Sequence, residues 1–170
     1  MSLIAQSIVP GAKITLNAGV NYAEGIKPET FHLKPAGVNT NTPSFVFGHL
    51  AIYPDGILEM LGRGDLAQPS ERFKALFDHG CECLDGEEAA ATYPPMNEIV
   101  ARYKDRHEVA IKALSEATDE QLSEENPHER MRERFPTKGS MINFLLGAHA
   151  MMHLGQVSAW RRCMGMGPAM

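Results

Sequence analysis

Residues 137–164 read TKGSMINFLLGAHAMMHLGQVSAWRRCM, and the reading of this run decides the fold. At a period of 3.6, Ile142, Leu145, Leu146, His149, Met152, His153, Gln156 and Trp160 fall on one side. Phe144, Gly147, Met151, Leu154 and Ser158 fall on or near the other. A helix this apolar on both sides is either central in its fold or in contact with a partner chain. Two further runs have the same period. In residues 44–61, with Ser44 as the expected N-cap, Phe45, Val46, His49, Ile52, Tyr53, Gly56, Ile57 and Met60 share a side. Pro54 should bend that helix or free the Leu50 carbonyl. In residues 96–117, Met96, Ile99, Val100, Tyr103, His107, Ala110, Ile111 and Leu114 form the stripe, and Pro95 suits the first helical position. A fourth stretch, residues 2–25, is helical but interrupted or kinked at Pro10-Gly11. Long β-branched runs with period-two alternation are absent, so the expected class is all-α.

Between these runs lie three connectors. Residues 27–43 hold three prolines. Residues 62–95 hold several glycines and the Pro94-Pro95 pair, with a short helix expected over 70–77. Residues 118–136 read as a solvated connector at 124–130. The chain has 170 residues, 44% of them hydrophobic and 22% charged, which suits a single domain with one apolar core. A net charge of −5 argues against a nucleic-acid surface, because such surfaces carry a basic excess that neutralises phosphates. Residues 1–9 lack a basic leader and are followed by Pro10-Gly11, so neither a signal peptide nor a membrane span is expected there. Three cysteines do not suggest a disulfide framework, and the cytoplasm is the expected compartment.

The chemistry sits on the apolar stripes. Four residues apart on a helix, His149 and His153 differ by about 40° in azimuth and roughly 6 Å along the axis, so both imidazoles can reach one ion. His49 lies mid-stripe on the second run. Three neutral imidazoles from two facing helices form a one-sided ligand set that leaves positions open for water or substrate. The alternative is three hydrogen-bonded core histidines; without an ion, several buried ring nitrogens would need other partners. Tyr53, His107, Gln156 and Trp160 are candidates to wall a pocket or to support the ligands, although each also reads as a packing residue. The His79-x-Cys81-x-Cys83 cluster lacks the second ligand pair of a zinc knuckle. No phosphate-binding glycine loop or GxSxG elbow occurs.

The segments Gly48-His49-Leu50-Ala51-Ile52-Tyr53-Pro54 and His149-Ala150-Met151-Met152-His153-Leu154-Gly155-Gln156-Val157 resemble the two signature regions of the DinB-like (damage-inducible) superfamily. The flanking Ser158-Ala159-Trp160-Arg161-Arg162 and Tyr93-Pro94 are similar too, and the resemblance spans roughly residues 4–167. It implies a four-helix bundle of up-down-down-up topology, with the long link after helix two making the crossover to helix three. It also implies a divalent metal, commonly zinc or nickel, held by a triad that falls on His49, His149 and His153. Characterised relatives include S-transferases and isomerases that use low-molecular-weight thiols. The functional expectation is therefore a metal-dependent transferase or hydrolase acting on a small molecule. The rival is a non-catalytic metal-binding stress-response protein or helical oligomerisation module. The apolar outer strip of the fourth run, with Gly147, Ala148 and Gly155 allowing close approach, leads to the expectation of a two-fold homodimer.

Overall fold

The first helix, α1 (Leu3–Ala23), runs unbroken through Pro10, so the expected interruption is absent. Both of its ends are held by distant residues. Ser2 Oγ accepts from the Ala5 amide, and the Asp119 carboxylate accepts from the Leu3 and Ile4 amides at 3.2 and 3.0 Å. At the other end the buried Arg161 guanidinium donates to the carbonyls of Tyr22 and Glu24 at 2.9 and 2.6 Å. Anion at the N-terminus and cation at the C-terminus both match the helix dipole. The computed structural model describes residues 2–167 and residue 169.

Helix α2 (Pro43–Leu50) begins one residue before the expected Ser44 cap: Thr42 is the N-cap, its hydroxyl accepting from the Phe45 amide. Every residue of α2 is buried, which places His49 deep in the fold. A turn at Ala51-Ile52 separates it from α3 (Tyr53–Met60), with Pro54 in the first turn of α3, where its missing amide costs nothing. Gly62 closes α3 at φ 70°: its amide bonds the Glu59 carbonyl and that of Arg63 bonds the Leu58 carbonyl, the left-handed cap that glycine adopts without strain. The link then carries α4 (Glu71–Phe77) and α5 (Gly86–Thr92) before α6 (Met96–Glu116), whose N-cap is Pro95. A short α7 (Asp119–Ser123) precedes the connector to the last rod.

That rod is not a plain α-helix. It consists of α8 (Lys138–Asn143), a π-helical stretch (Phe144–His149) and α9 (Ala150–Cys163). A π turn adds residues per turn, so faces assigned at 3.6 residues drift beyond it. Met152, expected inward, is 59% exposed, whereas Leu154, expected on the outer strip, is fully buried. Helix α9 packs on α1 and on α2, which bury Leu154, Val157 and Trp160, while Met151, Met152, Gly155 and Ala159 stay exposed on its other face. Phe144, also placed on the outer strip, stacks on Phe135 with ring centroids 4.4 Å apart.

The architecture is all-α; among the described residues no strand forms, only an isolated bridge between Glu125 and Thr137. Helix α6 packs on α1, α2 and α3, and α2 also meets α4 and α9. Buried Phe31, Phe47 and Tyr103 form an aromatic centre, with the Phe47 and Tyr103 rings edge-to-face at 5.2 Å. A Cβ at Gly19 would stand 2.3 Å from the Tyr103 hydroxyl, so glycine is what lets α1 close on α6. No helix among the described residues is long and apolar enough to cross a membrane.

Candidate metal centre

The structure brings together His49 from α2, His149 from the end of the π stretch and His153 from α9. One ring nitrogen from each lies within 4.8 Å of the others, a cluster suited to a divalent ion. Ring centroids are 4.7 Å apart for His49–His153, 4.8 Å for His149–His153 and 5.4 Å for His49–His149.

Hydrogen bonds fix which nitrogen two of these rings can offer. His49 Nδ1 lies 2.7 Å from the Phe77 carbonyl oxygen, which can only accept, so Nδ1 carries the proton and Nε2 keeps its lone pair. His153 Nδ1 faces Gln156 Oε1 at 3.4 Å, which leaves its Nε2 free in the same way. The Asn41 amide donates to that same Gln156 oxygen at 3.0 Å, orienting it toward the ring. Such acceptors hold metal-ligating imidazoles in the required tautomer. His149 makes no hydrogen bond among the described residues, and its Nδ1 is buried without a partner. An ionisable ring left orphaned in the interior is costly, and an ion on that ring repays the cost.

Charge points the same way. Burial holds the His49 pKa below its ordinary value, against the Phe77 hydrogen bond, and burial likewise lowers His153. His149 is pushed down to about 3, by burial first and then by His153, His49 and His107. All three rings are therefore neutral near pH 7, the state that ligates. No carboxylate joins the cluster, so an all-imidazole set offers borderline-soft donors of the kind zinc and nickel accept.

Local sequence explains the placement. A Cβ at Gly48 would lie 2.6 Å from the Phe77 ring, so the glycine before His49 lets α4 seat Phe77 against α2. The Phe77 carbonyl is thereby delivered to His49 Nδ1. Phe45 stacks on the His49 ring from the preceding turn, with planes 9° apart.

Of the four supporting candidates, Tyr53 lies at the site: its hydroxyl is 3.2 Å from His49 Nε2 and its ring is edge-on to His49 and His149. Burial and the Asp78 charge push its pKa up to about 12, so the phenol keeps its proton. Gln156 supports His153 as described. His107 is buried in α6, donates through Nδ1 to the Tyr103 carbonyl at 2.8 Å, and reaches the site only through its electrostatic effect on His149. Trp160 does not wall the pocket; it is fully buried and donates through Nε1 to the Leu33 carbonyl, because α9 turns that face into the core.

His149 and Tyr53 line a groove of about 1010 Å³. Ile52, Met60, Met141, Phe144 and Leu145 supply apolar wall, and Glu59, Lys74, Asp78, His79 and Arg130 supply charge and polarity. A buried ion pair fixes one side: Asp55 meets Arg102 at 2.9 Å and Arg106 at 3.5 Å, while accepting from the Gln68 amide. Residues 127–130, part of the stretch 124–130 read from sequence as solvated connector, form part of the groove lining together with Met131. Asn126 anchors that loop, donating to the Phe135 carbonyl and accepting from the His128 amide. Phe77, Asn41 and Asp78 carried no sequence signal for a site; the glycine at 48 was the one local hint. The His79, Cys81 and Cys83 side chains do not form a metal cluster among the described residues, the triad being the group found there.

A family model described as the DinB superfamily matches residues 15–157, a span that includes all three histidines, Tyr53 and Gln156. No curated protein matches the chain.

Proposed function

The chain belongs to the DinB superfamily, and on that premise we propose that it is a metal-dependent transferase or hydrolase acting on a small molecule, with low-molecular-weight thiol S-transfer preferred. One observation carries this reading: three imidazoles converge on a point bordered, through His149 and Tyr53, by a groove large enough for a substrate. A purely structural ion would be enclosed by protein ligands, whereas three ligands beside a groove leave room for an exchangeable one.

His49, His149 and His153 would hold one divalent ion, zinc or nickel in preference. When bound, the ion supplies Lewis acidity that lowers the pKa of a thiol or water beside it. The protein's own groups do the rest. Phe77 and Gln156 keep His49 and His153 in the tautomer that presents Nε2. Tyr53 keeps a proton at its hydroxyl beside the same point. The apolar wall from Ile52 to Leu145 excludes water from one side of a bound electrophile, and the charged rim can orient its polar end. In thiol transfer, the thiol would give its proton to water, sulfur would bond the electrophilic carbon, and the leaving group would depart with the electron pair of the bond that breaks at that carbon.

We read the chain as one DinB-like domain in the cytoplasm. Its four helices would be α1, the α2–α3 pair, α6 and the rod from α8 to α9, in up-down-down-up order with residues 62–95 as crossover. The dimer is likewise a proposal, now resting on Met151 and Met152, 37% and 59% exposed, rather than on Leu154 or Phe144. The functional test is to load the protein with zinc or nickel and assay thiol consumption against a panel of electrophiles and hydrolysable esters. Turnover that disappears in His149→Ala supports the reading. Metal binding without any turnover favours the non-catalytic alternative.

A further inference from the structure

Ligands on a tetrahedral ion with bonds of about 2.0–2.1 Å stand roughly 3.3 Å apart, so a triad spread over as much as 4.8 Å must draw inward to load. Of the two nitrogens of His49, Nδ1 is committed to Phe77, and the remaining lone pair on Nε2 faces the Tyr53 hydroxyl at 3.2 Å. With Nδ1 protonated, the phenol must be the donor of that contact. Tyr53 and His49 are four apart in sequence across the turn at Ala51-Ile52, which brings the phenol back over the imidazole. The phenol also lines the groove, as the His149 ring does.

Resting on the metal-centre reading above, we infer that Tyr53 is a displaceable occupant of the metal position. Its O–H takes the ligand lone pair of His49 in the metal-free protein and gives it up on loading. The freed hydroxyl is then a hydrogen-bond donor on the wall of the groove it already lines, beside whatever exchangeable ligand the ion carries. Tyr53 is therefore a positioning residue for that ligand and a competitor of the metal. It is not a fourth metal ligand.

The test uses the full-length chain, stripped with chelator and titrated with zinc against a chromophoric chelator. Tyr53→Phe keeps the ring that packs on His49 and His149 but removes the competing hydrogen bond. The variant should bind zinc about three- to tenfold more tightly, the equilibrium equivalent of one neutral hydrogen bond. A second readout is independent of affinity: loading the wild type should shift the near-ultraviolet tyrosine absorption as the phenol loses its imidazole acceptor, and Tyr53→Phe should lack that shift. Equal affinity with no tyrosine shift in either protein would overturn the inference while leaving the metal centre standing. Weaker zinc binding in Tyr53→Phe would overturn it by making the phenol a ligand. A wild type that takes up no zinc would overturn both this inference and the reading it rests on.

Discussion

His49 donates from Nδ1 to the backbone carbonyl of Phe77 at 2.7 Å, and the residue before His49 is the glycine that lets Phe77 come so close. Phe77 ends α4, a helix inside the link between α3 and α6, so this connector is part of the site. Gly48→Ala should accordingly damage both fold and site. A Cβ would meet the base of the Phe77 ring at 2.6 Å, where the side chain cannot swing aside cheaply. Overpacking costs about 1–3 kcal/mol, of which the better helix propensity of alanine returns up to about 1. Moving the carbonyl should also weaken metal binding by about 10- to 100-fold. Urea unfolding and chelator competition measure the two effects; a variant with wild-type metal affinity would remove Phe77 from the site.

Gln156 carries a milder expectation. Its oxygen accepts from both Asn41 and His153, so Gln156→Leu removes the acceptor while keeping the volume. Metal affinity should fall about tenfold with little change in unfolding free energy. No change in affinity would reduce Gln156 to packing.

His107 gives the metal-free protein a pH dependence. Burial lowers its pKa from 6.5 to about 4, partly offset by its bond to the Tyr103 carbonyl. The unfolded chain therefore takes this proton at higher pH than the folded one. Stability present above about pH 6.5 is lost as pH falls toward 4, reaching roughly 3 kcal/mol in full. Between pH 7 and pH 5, His107→Gln should lose about 2 kcal/mol less than the wild type in urea unfolding of the stripped proteins. Equal losses would show that His107 does not resist protonation.

Sedimentation velocity at micromolar concentration addresses assembly. A dimer should run near twice the 18.7 kDa chain mass and dissociate in Met152→Glu. A single wild-type species at the chain mass would dispose of it.

The all-α class, the helices bearing the ligands and the His triad itself were legible because 3.6-residue periodicity and an i,i+4 pair are local signals. What escaped the sequence was non-local or register-dependent. The π stretch at Phe144–His149 rotates the faces that follow, so Met152 and Leu154 exchanged the sides that a uniform period assigns them. Pro10 lies inside a continuous α1, where clamping of both helix ends by Asp119 and Arg161 outweighs a local penalty. The groups that hold His49 and Gln156 in place are the main-chain carbonyl of Phe77, which accepts, and the connector amide of Asn41, which donates, neither of which leaves a mark in residue type. The groove likewise depends on loop 127–131 folding beside α3, a long-range placement that polarity alone reads as solvent-facing.

The most direct measurement is the metal content of the purified chain by mass spectrometry of the elements, beside that of the His149→Ala/His153→Ala double variant. Removing two of three converging imidazoles leaves His49, which cannot hold an ion alone. The expected result is close to one divalent ion per wild-type chain and almost none in a double variant that still shows a helical far-ultraviolet spectrum. A double variant with undiminished metal content, or a wild type that takes up none after incubation with zinc or nickel, would contradict the central claim.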